Sequence, residues 1–204
     1  MVPGYSQHNH IKTLKVTAKM EIQYQKQAIE TAKATIQLGI ARHTQLEIDP
    51  DTFEPLFREK KASFVTLKIN NELRGCIGSL SAYQALITDI ANNAFNAALK
   101  DPRFPPVNQS EFEHLQYHIS ILNTPESMTF ASEEDLLEQL RPNIDGLILS
   151  KGSNRGTFLP SVWKQLPNKT DFLKHLKQKA GLDPQYWNND IRIERYEVDE
   201  FSGE

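Results

Sequence analysis

The chain has 204 residues, 39% of them hydrophobic and 24% charged, with a net charge of −3 at pH 7. That length allows one large domain or two small ones around a substantial core, and the composition is ordinary for a soluble globular protein. The charge balance argues against nucleic acid as a partner, no apolar run reaches the roughly 18 to 20 residues that span a bilayer, and a single cysteine, Cys76, excludes an internal disulfide framework and a cysteine-only metal site.

Residues 1–19 are polar and poorly patterned and lack the basic-then-apolar signature of a secretory leader. They read as an N-terminal extension of a domain over residues 20–204, with an ordered arm as the alternative. Together with the lone thiol, this predicts a cytoplasmic location. From Ile22 to Arg42, Ala28, Ile29, Ala32, Ile36 and Ile40 recur at three-to-four spacing, the pattern of an amphipathic helix. Phe64–Ile69 alternates as a strand, Asn70-Asn71 suits a tight turn, and Leu73–Leu80 returns as the second strand of a hairpin. A helix is predicted over Tyr83–Leu99. The prolines make Asp101–Pro106 an ordered loop, and Leu115–Leu122 is a further strand.

In the second half, Ser132 followed by Asp135 predicts a helix N-terminus, with the helix running to Leu140. Gly146–Ser150 and Arg155–Leu159 flank the turn Lys151–Asn154 as another hairpin. Pro160 opens a short helix containing Trp163, and Asp171–Ala180 is helical with Gly181 closing it. Ile191–Val198 is the last predicted strand. Hairpins with interspersed helices predict an α+β fold with a mainly antiparallel sheet and flanking helices. The run Val65–Lys68, turn, Arg74-Gly75-Cys76-Ile77 is echoed by Leu147–Ser150, turn, Arg155-Gly156-Thr157-Phe158. The echo predicts two duplicated hairpin-helix halves, each presenting an Arg-Gly strand.

Strict alternation puts Arg74, Cys76 and Gly78 on one face of their strand and Leu73, Gly75 and Ile77 on the other. Glycines within a strand call for a bulge or the close approach of a ligand or backbone. An arginine near a thiol favours its reactive anionic form. One reading is therefore a reactive or ligand-contacting Cys76 with Arg74 beside it. The other is a small buried hydrophobe next to a structural arginine. Arg103 and Arg155 sit in similarly constrained contexts and with Arg74 could bind a phosphate or carboxylate, or each could tie down loop carbonyls, Asp101 or Asp145. No histidine pair has metal-ligand spacing, which argues against zinc. His118 shares a strand face with Gln116 and Ser120 and offers no evident base for a papain-like mechanism.

Ala62–Leu67, Leu73–Gly78, Asp101–Pro106, Asp145–Leu149 and Arg155–Pro160 occur in the order found in the AMMECR domain family. Phe172–Lys177, Gly181-Leu182 and Tyr196–Phe201 also resemble its C-terminal portion. The resemblance covers Ile22 to Phe201. It implies a duplicated α+β fold with a cleft near Arg74–Gly78 and, for prokaryotic members, company with Memo-like and radical S-adenosylmethionine proteins. Ser79-Leu80 and His118 depart from the family's frequent residues, which makes His118 a poor candidate for a shared site.

Two functions follow as expectations. One is an enzyme or enzyme subunit in a redox or modification pathway, with Cys76 and Arg74 catalytic and Gly75, Gly78, Arg103 and Arg155 binding an anionic small molecule. The other is a non-catalytic adaptor that uses the same fold to bind a protein. The cofactor stays unassigned.

Overall fold

In the computed structural model, which describes residues 21–203, the first helix, α1, runs over Ile22–Arg42. The expectation for residues 1–19 lies outside the described residues. Ala28, Ile29, Ala32 and Ile36 of α1 are buried, the stripe that the spacing predicts. After a 3-10 turn and a one-turn helix, α2 (Pro55–Arg58), come strands β1 (Ala62–Ile69) and β2 (Glu72–Gly78). Asn70 and Asn71 join them with φ of 52° and 66°, the left-handed pair that a two-residue hairpin turn needs.

Helix α3 (Leu86–Leu99) begins three residues later than predicted. Ala85 forms an isolated bridge with Lys60, and the Leu86 N–H donates to the Glu59 carbonyl, which keeps the preceding residues extended. A one-turn helix, α4 (Gln109–Phe112), leads into β3 (Gln116–Leu122) and the two-residue strand β4 (Glu126–Ser127). The second half contains α5 (Glu133–Gln139), capped by Ser132, then β5 (Gly146–Lys151) and β6 (Asn154–Phe158). A 3-10 helix over Pro160–Lys164 and α6 (Lys169–Lys179) follow. The single strand predicted for Ile191–Val198 is two strands, β7 (Arg192–Tyr196) and β8 (Val198–Gly203). No helix of the described residues is long and apolar enough to cross a membrane.

The break at Glu197 has a topological reason. One antiparallel sheet has the order β2-β1-β3-β8 and the other β6-β5-β7-β4. Each begins with a hairpin and its third strand, and each takes its fourth strand from the other half of the chain. The chain passes from β3 into β4 of the second sheet and from β7 into β8 of the first. Both stretches alternate alike, so periodicity alone does not reveal the crossing.

One core packs α1 and α3 on the first sheet through Ile36, Leu86, Ile90, Val65, Leu67 and Ile119. A second packs α5, α6 and Trp163 on the other sheet through Leu136, Leu147, Leu149, Phe172 and Leu176. Ala62, Leu122, Ile148 and Tyr196 form a small junction between the halves, with Phe64, Leu159 and Val198 against it. The echo also extends to packing. A Cβ on Gly75 would run into the Ala97 carbonyl oxygen of α3, and one on Gly156 would stand 2.8 Å from the Ala180 nitrogen at the end of α6. Each half thus lays a helix backbone against the glycine of its Arg-Gly strand.

Candidate active site

The segment Leu73–Gly78 lies on an edge strand and does not alternate strictly. Leu67 pairs with Gly75 and Lys68 with Leu73, so Arg74 is an extra residue in a bulge. The bulge corrects the expected faces. Gly75 opposite Leu67 and Ile77 opposite Val65 point to the core, but Leu73 shifts to the side of Cys76 and is 42% exposed.

Arg74 is buried. Its Nε and Nη2 donate to the two Glu111 carboxylate oxygens at 2.8 and 3.0 Å, and Nη2 also donates to the Pro105 carbonyl at 2.9 Å. Among the described residues, its buried Nη1 has no hydrogen-bond partner. Glu111 is itself the third residue of α4 and completes a capping box with Asn108. Arg74 holds the Glu111 carboxyl below its usual range, against the opposing effect of burial. The bulged arginine therefore clamps the loop Asp101–Pro106 and α4 onto the sheet.

Cys76 is half-buried, with both backbone polar groups held from outside the sheet. Its N–H donates to Asp101 Oδ2 at 2.9 Å, and its carbonyl accepts from Arg103 Nη2 at 3.0 Å. Asp101 and Arg103 also bond each other, the shortest contact being 2.6 Å. The pair fills the place of a neighbouring strand at this point of an open edge. Arg103 holds the Asp101 carboxyl far below the usual carboxylate range, outweighing burial, and the Cys76 N–H adds to the effect. Asp101 in turn raises Arg103 above its ordinary value, with a smaller contribution from Cys76. Arg74 and Arg103 both place their guanidinium carbons near the Phe104 ring, 5.8 and 5.5 Å from its centre.

The Cys76 side chain points to the sheet face opposite α1 and α3. There Thr66 donates its hydroxyl to Cys76 Sγ at 3.2 Å. The register continues the row across the sheet as Cys76, Thr66, His118 and Ser202. His118 Nδ1 lies 2.7 Å from Ser202 Oγ, and its Nε2 lies 3.6 Å from Glu200, which also accepts from Ser120. His118 holds the Glu200 carboxyl below its ordinary value, ahead of the opposing effect of burial. The next row, Gly78, Phe64, Ser120 and Glu200, leads toward the junction between the halves. At its β2 end Gly78 accommodates the Phe64 ring, which occupies the space a Cβ would need.

Of the residues singled out from sequence, the fold brings Arg74, Gly75, Cys76, Gly78 and Arg103 together around one edge of the first sheet. It does not bring Arg155 to them. Arg155 is exposed on β6, the edge strand of the other sheet, and among the described residues it makes no ion pair or hydrogen bond through its side chain. Sequence reasoning missed Thr66 as the neighbour of Cys76, and Ser202 and Glu200 as partners of His118, because their meeting depends on the order of strands. It also missed Glu111, although Asn108-x-x-Glu111 is a readable capping pattern.

The sequence profile of the AMMECR1 family matches residues 29–201. A protein of Thermotoga maritima is 36% identical over 180 residues, covering 87% of this chain and 96% of its own. One from Methanothermobacter thermautotrophicus is 35% identical over 175 residues, 85% of this chain and 91% of its own. The crystal structure of an uncharacterised protein, PH0010, from Pyrococcus horikoshii matches with a TM-score of 0.81 at 30% identity, covering 91% of this chain and 94% of that one.

Proposed function

The chain belongs to the AMMECR1 family, and on that premise we propose that it is an enzyme or enzyme subunit whose reactive centre is Cys76. The observation that carries this reading is the placement of the thiol. It lies half-buried on a polar sheet face, bonded by the Thr66 hydroxyl, and the Arg103 guanidinium, which Asp101 holds, donates to the Cys76 carbonyl. A guanidinium bonded to the backbone of the same residue stands within reach of charge that develops on an attacking sulfur, which suits nucleophilic or redox chemistry. Arg103 takes the cationic role that the sequence reading gave to Arg74. Arg74 becomes a positioning residue that acts through Glu111 and the Pro105 carbonyl. Gly75 and Gly78 act by allowing close packing behind and beside the thiol.

This chemistry fits a modification or redox step in a pathway shared with the Memo-like and radical S-adenosylmethionine proteins that the family resemblance implies. The test is a metabolite screen that needs no guessed reaction. The purified chain is incubated with a small-molecule extract, and retained or covalently attached species are read by mass spectrometry. The expected result is at least one species held by the wild type and absent from a folded Cys76→Ser variant. Identical profiles for the two proteins would sink the proposal.

A further inference from the structure

The sheet face that carries Cys76 also carries a cavity, on the side of His118 and Ser202 away from Glu200. It measures about 350 Å³ and is lined by Lys68, Asn71, Gln116, Tyr117, His118 and Ser202, with the Gly203 backbone completing it. That volume suits a small metabolite. Among the described residues, none of those that line it is acidic. The cleft near the 3-10 helix differs, since Lys164 there faces both Glu197 and Glu200. The cavity on the far side of β3 differs too, since it combines Lys33 with Glu113.

Its polar groups are donors. Lys68 is half-buried, and among the described residues its ammonium makes no ion pair or hydrogen bond. Gln116 accepts the Asn71 N–H through Oε1 at 3.2 Å, which leaves its amide NH2 as the group facing other partners. Ser202 shares its hydrogen bond with His118 Nδ1. With a proton on both ring nitrogens, Nδ1 donates to Ser202 while Nε2 faces Glu200, and the serine hydroxyl is free to donate into the cavity. Glu200, the carboxylate on this face, is held by His118 and Ser120. A half-buried cation with no counter-ion among the described residues, surrounded by amide and hydroxyl donors, is the chemistry that recognises an anion.

We propose that this cavity binds the carboxylate or phosphate group of a small anionic ligand, with Lys68 as its counter-ion and Gln116 and Ser202 as hydrogen-bond donors. The inference rests on the reading of Cys76 as the reactive centre and names the substrate class for it. Lys68 is the diagonal neighbour of Cys76 across β1 and β2, because Cys76 pairs with Thr66. Their Cα atoms are therefore about 7–8 Å apart. A ligand anchored at Lys68 would extend along the strand row toward the sulfur. The anion site moves from the three arginines expected from sequence, of which Arg74 and Arg103 are bound to carboxylates and Arg155 is on the other sheet.

The test is a titration of the ¹⁵N-labelled full chain with inorganic phosphate and, separately, with malonate, against sodium chloride at matched ionic strength. Saturable shifts of the Asn71, Gln116, His118, Ser202 and Gly203 amides are expected with at least one of the two anions, and the stronger binder identifies the headgroup. Lys68→Gln should weaken binding about tenfold, the loss of a charge-assisted contact, while its spectrum stays that of a folded protein. Cys76→Ser should bind like the wild type. Shifts no larger than those in sodium chloride, unchanged binding by Lys68→Gln, or shifts centred on Arg103 would each overturn the proposal. Binding at the cavity with an inert Cys76 would leave this site standing and remove the proposed function. A reactive Cys76 beside a silent cavity would do the reverse.

Discussion

In the β1–β2 hairpin, Cys76 follows Gly75 on a half-open polar face, whereas in the β5–β6 hairpin Thr157 follows Gly156 in the packed junction between the sheets. Thr157 donates to the Leu147 carbonyl at 2.9 Å and lies 3.2 Å from the Tyr196 hydroxyl, which burial pushes up to about 12. The arginines diverge as well, since Arg74 is clamped by Glu111 while Arg155 is exposed. The glycines behave alike, each pressed by a helix backbone. What the two regions share is thus what the fold requires, and what separates them marks where a ligand can reach the strand.

The largest effect should come from the shared feature. Gly75→Val is expected to destabilise by about 3 kcal/mol or more, because the neighbouring carbonyl belongs to a helix backbone that cannot step aside. Gly156→Ala should cost less, about 1–2 kcal/mol, since its contacts are 2.8–3.1 Å. Urea denaturation of both variants measures the pair, and a neutral Gly75→Val would break the parallel between the hairpins.

The arginines should separate next. Arg74→Ala removes one partner of a largely buried ion pair and is expected to cost about 2 kcal/mol, while Arg155→Ala should stay within about 0.5 kcal/mol. Equal losses would mean that Arg155 has a structural role that its exposed position does not suggest.

Acid sharpens the same contrast. The Asp101 carboxyl is depressed in the folded state by Arg103, so its stabilisation is complete above the unfolded value of about 4 and is lost as pH falls toward the folded value. Asp101→Asn should be less stable at pH 7 and lose less between pH 5 and pH 3 than the wild type. Thermal melts across that range read the difference, and parallel pH curves would contradict the assignment.

The smallest effects concern the equivalent positions. Thr157→Val should cost about 1 kcal/mol, by leaving the Leu147 carbonyl and Tyr196 hydroxyl short of a partner. Cys76→Ser should stay within about 0.5 kcal/mol. A large loss for Cys76→Ser would favour a structural thiol.

Much of this architecture is legible in the sequence, for local reasons. α1, both hairpins, the Ser132 cap and the paired Arg-Gly strands follow from spacing and turn chemistry. The bulge at Arg74 is silent in sequence, since one extra residue leaves no compositional mark. The exchange of fourth strands is equally hidden, because β7 and β8 alternate alike on two different sheets. The site suffers most from this. Arg74 and Glu111 meet across 37 positions and His118 and Ser202 across 84, so their meeting depends on topology. Cys76, Gly75 and Arg103 are legible in the sequence because glycine and proline constrain their surroundings. Lys68, Gln116 and Ser202 carried no such signal.

The central claim is that Cys76 is a reactive thiol on an accessible face, and its alkylation rate tests this most directly. With one cysteine in the chain, the rate of modification of the native protein by iodoacetamide at pH 7 can be followed by whole-protein mass. It can then be compared with a free thiol peptide and with Arg103→Met. Cys76 is expected to react faster than the peptide and to lose that advantage in Arg103→Met. A native rate no faster than that of the peptide would contradict it.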